Sequence, residues 1–330
     1  MTIMKASNKK EDIMLSISND RFKMSAGAAC LLMAAITIAR GTSFLMSKQL
    51  LGTMEPFNLL GVRFLMAFAI LFILFAKRIV AVIRDDKGVV FAAALLGAAY
   101  FVCMAAELHG LKYTASSTCS FLEKSAIVMV PVCEAIILRR MPARIIMTSA
   151  LVTMAGIGFI VLGGDGMGIG KGELLCMLAA LMYTAAIIIT DRASKKHDPF
   201  TLGVLYVGFM GAAGLAASLL TESSTHLPQT DGQWAYLLML AVICSAFGFT
   251  MQPVAQKYIS TETAGILIAL NPLTSAVLGN IILGEAFGVK GLAGSVLIIC
   301  GIMLPNIIAR RNAAPAAPAA VARVGQATLR

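Results

Sequence analysis

Residues 55–66 read EPFNLLGVRFLM and residues 198–210 read DPFTLGVLYVGFM, 143 positions apart. Each opens an apolar run with an acidic residue followed by Pro-Phe. A second echo lies further along: Lys112-Tyr113 precedes one apolar run and Lys257-Tyr258 another, 145 positions apart. A near-constant spacing of two separate signals marks an internal duplication. The fold then turns on how many membrane crossings the repeated unit holds.

Composition makes the crossing the right unit to count. The 330 residues are 58% hydrophobic and 13% charged, a balance that belongs to membrane proteins. A helix rises about 1.5 Å per residue, so roughly 20 residues cross a hydrocarbon core of about 30 Å. Ten such runs fit: Met24 to Leu50, Pro56 to Ala76, Val89 to Gly110, Ala115 to Leu138, Arg144 to Gly163, Gly172 to Thr190, Pro199 to Leu220, Trp234 to Val254, Thr263 to Leu283 and Gly288 to Ile308. Their connections are short, and no soluble domain fits between them.

The duplication splits the ten runs into five and five. An odd unit repeated in one membrane inserts its second copy upside down. The expected fold is an all-α integral membrane protein of ten transmembrane helices in two inverted five-helix repeats, residues 24–163 and 172–308. A cytoplasmic tail, 1–23, precedes them, and a disordered Ala/Pro-rich cytoplasmic tail, 309–330, follows. The first tail is too long for a usual cleaved signal peptide, and Met14 and Met24 are alternative starts. Inverted repeats are typical of secondary transporters, whose site lies between the halves and opens to each side in turn.

Charge gives the orientation. With the N-terminus inside, 20 of the 27 Lys and Arg fall on inner segments, and only Lys48, Lys112, Lys171 and Lys290 at outer ends. Both termini are therefore expected in the cytoplasm of a cell whose cytoplasmic (inner) membrane holds the chain. The net charge of +10 is explained by topology. No basic groove with interleaved aromatics supports nucleic-acid binding, which is excluded. All seven Cys lie inside spans without a CxxC and read as small buried hydrophobes. The segment 163–173, GGDGMGIGKGE, lacks the spacing of a phosphate loop and reads as a turn. Gly208, Ala212 and Ala216 form a small-residue ridge for close helix packing.

Several short motifs, in order along the chain, resemble the drug/metabolite transporter superfamily, specifically its ten-span EamA-type members. They are Arg40-Gly41-Thr42-Ser43-Phe44 with Ser47-Lys48, Pro56-Phe57 with Arg63-Phe64, Leu111-Lys112-Tyr113-Thr114, Asn271-Pro272, and Leu283-Gly284-Glu285. Three positions depart from that pattern: Arg40 replaces an aromatic, Ser125-Ala126 replaces Ser-Pro, and Arg139-Arg140 replaces Gly-Glu. The resemblance implies a secondary transporter, with export of amino acids, related metabolites or amphipathic drugs favoured and import by some relatives.

The candidate site follows from charge placed inside spans. Ser116, Ser120, Glu123 and Lys124 share one helix face, with Glu134 returning to it. Charge facing lipid costs several kcal/mol, so this face is expected to look into the bundle. Arg40, Arg63, Glu107 and His109 fall at similar depth in their own spans. The substrate-binding or coupling candidates are Arg40, Ser43, Glu107, Ser120, Glu123, Lys124, Tyr183, Gln252 and Asn271. Pro131, Pro253 and Pro272 interrupt backbone hydrogen bonding and are the helix-break or gating candidates.

Two readings of the charges stay open. In one, Arg40, Arg63 or Lys124 pairs with Glu107 or Glu123 to fix helix packing. In the other, Lys124 or Arg40 holds the carboxylate of a zwitterion or anion, and Glu123 holds an amine or carries a coupling proton. An intramembrane enzyme would need a nucleophile with a base, or a metal cluster; only His109 of the three His lies in a span, without HExxH or paired Asp. No catalytic residue, metal or cofactor is expected. The expected partners are a small-molecule substrate, a coupling proton or other ion, membrane lipid and, left open, a second copy in a homodimer. A channel or sensor is the remaining alternative.

Overall fold

The computed structural model describes residues 24–137, 139, 144–161, 170–194, 196–223, 226–249, 251, 255, 258, 267–268, 270–285 and 288–312. Gln252, Pro253 and the tails 1–23 and 313–330 lie outside them. The described residues are helical almost throughout: α1 Ala26–Leu50, α2 Pro56–Asp85, α3 Gly88–Tyr113, α4 Ser116–Lys124, α5 Ala126–Ile137, α6 Arg144–Val161, α7 Lys171–Ser194, α8 Pro199–Thr221, α9 Asp231–Met239, α10 Leu270–Leu283 and α11 Val289–Asn312. A π-helical stretch, Leu240–Phe247, continues α9.

Five helices, α1, α2, α3, α7 and α8, are each long and apolar enough to cross a membrane, and four shorter apolar helices accompany them. The fourth expected span is two helices, α4 and α5, with the interruption at Ser125. The sequence placed a break at Pro131, yet helix α5 runs through that position. Ser125 ends α4 without a proline: its hydroxyl donates to the Leu122 carbonyl at 2.6 Å, a local bond that competes with the helix ladder.

Packing follows the duplication. Spans that are counterparts cross each other: α2 on α8, α6 on α11, and α4 on α10. The other main contacts come in exchanged pairs. Thus α3 on α7 is matched by α9 and the π-helical stretch on α1, and α4 with α5 on α7 is matched by α10 on α1. The chain is a ten-span membrane fold of two inverted five-helix repeats, related by a pseudo-two-fold axis.

The α2–α8 crossing shows how close that axis brings two backbones. A Cβ on Gly61 would sit 2.6 Å from the Leu215 amide nitrogen, and one on Gly211 2.7 Å from that of Leu65. Gly211 and Gly214 make this approach, and of the expected ridge of Gly208, Ala212 and Ala216 only Gly208 joins the crossing. Ala212 and Ala216 are exposed, and Gly208 lies against the Phe68 ring.

Both repeats also meet at the helix ends near Lys48. Glu285, just past α10, accepts from the Ser116 amide at 2.8 Å and the Ser116 hydroxyl at 2.8 Å, capping α4, and pairs with Lys48 at 3.2 Å. Lys48 donates to the Thr114 carbonyl at 2.6 Å, and Thr114 donates to Glu173 at 2.6 Å. Glu222 accepts from the amides of Phe57 and Asn58, 2.7 and 2.9 Å, at the start of α2. At the opposite ends His197 contacts Asp86 at 2.5 Å, and Arg78 pairs with Asp198 at 3.0 Å.

Candidate functional site

Glu123 and Lys124 close α4, just before its interruption. Lys124 Nζ donates to Glu123 Oε1 at 2.8 Å, and both side chains are buried. Neighbours on one helix join no two helices, so this ion pair does not itself fasten the bundle. What Lys124 does across the repeat boundary is lie over the Tyr183 ring of α7, 4.5 Å from its centroid. Glu123 Oε2 has no hydrogen-bond partner among the described residues. Burying two charges costs several kcal/mol per ion, and an acceptor left open adds to that cost. The pair is expensive and poorly used as a structural device.

The pair opens into a small cavity between the repeats. Three cations, Arg40, Arg63 and Lys124, and two carboxyl groups, Glu107 and Glu123, line it; Ser43, Phe44, Phe249 and Asn271 complete most of its wall. Asn271 Oδ1 is a second buried acceptor with no partner among the described residues. Another small cavity lies one turn back along α1, bounded by Thr37, Tyr183 and Ile268. Arg40, Lys124 and Asn271 wall both cavities.

Rings surround the charges. Arg40 Cζ lies 4.7 Å from the Phe249 centroid. Tyr100 stacks on Tyr206 at 5.1 Å and meets Tyr183 edge-on at 6.0 Å, and Phe249 meets Tyr206 edge-on at 6.0 Å. Arg63 Nε donates to Ser245 Oγ at 2.8 Å, a bond from the first repeat to the π-helical stretch of the second. A π-helical turn is wider than an α turn and occurs often at functional sites. Here it carries the hydroxyl that receives Arg63.

Of the residues singled out in the sequence, Arg40, Ser43, Arg63, Glu107, Glu123, Lys124 and Asn271 meet at the first cavity, and Tyr183 lines the second. Ser120 is buried but donates to the Ser117 carbonyl at 2.8 Å and lines neither cavity. His109 also stands apart, its Nδ1 2.7 Å from the Ala105 carbonyl and its ring against Phe57. Pro272 lies within α10, and residues 267 and 268 ahead of it are also helical. Sequence reading missed Tyr100, Tyr206, Ser245 and Phe249. The duplication held a signal for one of these: 143 positions beyond Arg40 and Arg63 stand Tyr183 and Tyr206.

Outside the spans, two carboxyl groups are shifted. Burial raises the Glu285 carboxyl, but the amide and hydroxyl of Ser116 and the Lys48 ammonium outweigh it and hold it below the usual range. The His197 hydrogen bond holds Asp86 low.

The model of the EamA-like transporter family matches residues 27–162 and again 170–307. The chain belongs to the EamA-like transporter family. As a member of this family it is a multi-pass membrane transporter of the drug/metabolite type. It is 24% identical over 306 residues to the uncharacterized transporter YetK of Bacillus subtilis, covering 89% of this chain and 92% of YetK. Other matches span about half of the relative. These are an uncharacterized transporter of Archaeoglobus fulgidus, 25% identical over 40% of this chain and 47% of its own length, and the threonine/homoserine exporter RhtA of Salmonella typhimurium, 24% identical over 41% and 44%. A crystal structure of a protein 18% identical superposes with a TM-score of 0.63 over 87% of this chain and 99% of its own, a likeness of fold.

Proposed function

We propose that this EamA-like transporter exports small zwitterionic or anionic metabolites, such as amino acids, or amphipathic drugs, by alternating access across the cytoplasmic membrane. One observation carries the reading. The Glu123–Lys124 pair sits within one helix, at a cavity between inverted repeats, beside two buried acceptors that no donor among the described residues serves. A substrate ammonium or a coupling proton would satisfy Glu123 Oε2, and Lys124 or Arg40 would hold a carboxylate. Export is supported by the name of RhtA, matched over part of the chain. The distribution of Lys and Arg supports cytoplasmic termini, which makes the Lys48–Glu285 end the outer one. Lys48 and Glu285 latch that end, while Arg78–Asp198 and His197–Asp86 tie the other.

The test compares the medium of cells producing the wild type, Lys124→Ala, Glu123→Gln or empty vector at equal membrane expression. A metabolite enriched by the wild type alone is expected. Enrichment that survives both substitutions would return the pair to a packing role, and no enrichment with the wild type would refute export. For proton coupling, Glu123→Gln should abolish transport driven by a pH gradient while exchange persists; pH-driven transport by that variant would rule the role out.

A further inference from the structure

We propose that Arg40 and Lys124 form a cationic partition that selects substrates by charge: a solute passes if it carries a carboxylate, alone or with an ammonium, and an organic cation is turned away. The proposal rests on reading the two cavities as parts of one transport route. Because Arg40, Lys124 and Asn271 wall both cavities, a solute moving from one to the other passes between these side chains. Arg40 stands on α1 between Thr37 of one cavity and Ser43 of the other, one turn from each.

The charges on the two sides favour anions. The first cavity has three cations against two carboxyl groups, a formal excess of +1 that grows if either carboxyl takes a proton. The second has Arg40 and Lys124 with no carboxyl among its described lining residues, the Glu123 partner of Lys124 lying on the side of the first. In a site screened from water, like charges repel strongly, and rings of Arg or Lys select anions in membrane pores for that reason. A lone ammonium meets this repulsion on both sides of the partition.

The rings tell the same story. Aromatic faces are the usual receptors for organic cations, but here two of them are already covered by the protein's own cations, Phe249 by Arg40 and Tyr183 by Lys124. The repeat shows how unusual this is. Arg40 stands where the second repeat has Tyr183, and Arg63 where it has Tyr206, both at the 143-residue spacing of the Pro-Phe signals. Two aromatic positions in one repeat are guanidinium positions in the other. The open acceptors, Glu123 Oε2 and Asn271 Oδ1, can take an ammonium that arrives attached to a carboxylate. Zwitterions are thereby admitted. Phe44 and Met104 on one side and Ile268 on the other leave apolar surface for a hydrocarbon or ring.

Three solutes with one phenyl group separate the possibilities: 3-phenylpropanoate, phenylalanine and phenethylammonium. Binding to the purified full-length protein is read as ligand-induced thermal stabilisation, and movement as counterflow in liposomes. The wild type is expected to bind the first two at least about tenfold more tightly than the third. Arg40→Tyr, which installs the counterpart residue, is expected to erase that preference, and Arg40→Lys to keep it. If Arg40→Tyr does not yield folded protein, Lys124→Gln is read in its place with the same expectation. The proposal is overturned if the wild type binds phenethylammonium as well as the carboxylates, if it binds none of the three, or if Arg40→Tyr keeps the preference. Selective binding without counterflow would leave the partition standing and refute the carrier reading instead.

Discussion

The two repeats share a backbone plan and divide the chemistry between them. At matched positions the first has Arg40, Arg63 and Glu107, where the second has Tyr183, Tyr206 and Gln252. At the ends the division reverses. The second repeat has Gly284-Glu285 after α10, and the first has Arg139-Arg140 after α5. Yet Gly284 has φ 64° and Arg139 has φ 51°, a left-handed residue in the same place of each repeat. The backbone path is thus met by both sequences, while the ions of the site come from one half and its rings and latch carboxylate largely from the other. An asymmetric cavity in a symmetric scaffold can distinguish the two ends of a substrate.

The sharpest way to break this comparison is at Lys124. Lys124→Met leaves Glu123 buried with neither oxygen bonded to a cation, which costs about 3–5 kcal/mol or forces proton uptake. The double variant Glu123→Gln, Lys124→Met removes both charges and is expected to recover most of that loss, since replacing a buried pair by uncharged groups is often neutral. Unfolding in detergent micelles measures both. A double variant as unstable as the single would mean that the pair is a packing strut, and that the first repeat has no specialised chemistry to contrast with the second.

The latch gives the next effect. Glu285→Gln removes the charge that meets Lys48 and weakens the cap on α4, a loss of about 1–3 kcal/mol. The sign of its pH dependence follows from the lowered carboxyl. A group held below its unfolded value contributes fully above the unfolded carboxylate range, near about 4.3, and loses that contribution as pH falls through its folded value. Wild-type stability should therefore drop in acid below that range, and Glu285→Gln should flatten the drop. An equal drop in both proteins would show that the acid sensitivity arises elsewhere.

How much of this was legible in the sequence depends on whether the signal was local. Ten apolar runs and two echoed motifs gave the inverted duplication, because span length is imposed by the bilayer and each signal is a short string. The ions of the site were legible because a charge in an apolar run has few places to go, and Arg40, Glu107, Glu123 and Lys124 do meet at one cavity. Two kinds of feature were not. The interruption at Ser125 rests on a hydroxyl turning to the carbonyl of Leu122, a choice open to any serine. The contacts of Tyr100, Tyr206 and Phe249 with one another rest on helix rotation, and each alone is an ordinary aromatic of a membrane span. The π-helical stretch carries no composition signal that separates it from the α-helix before it.

The smallest effects test the backbone part of the comparison. Gly284 follows α10 in the left-handed region, as glycine often does just past a helix end, and the Glu285 amide donates back to the Gly279 carbonyl at 3.0 Å, closing that end. A Cβ on Gly284 would meet nothing within 4 Å, so Gly284→Ala has no steric term beyond its own backbone. Its expected cost is about 1 kcal/mol, set by the left-handed conformation alone. Arg139 already bears that strain. Arg139→Gly relieves it but adds the entropy of a freer unfolded chain, about 0.5–1 kcal/mol, so the two nearly cancel. The expectation is a clear loss at residue 284 and a change within about 0.5 kcal/mol at residue 139. A comparable loss at both would mean that the Arg139 side chain makes contacts worth as much as the strain it imposes, and that its place in the repeat is held by the arginine itself rather than by the turn.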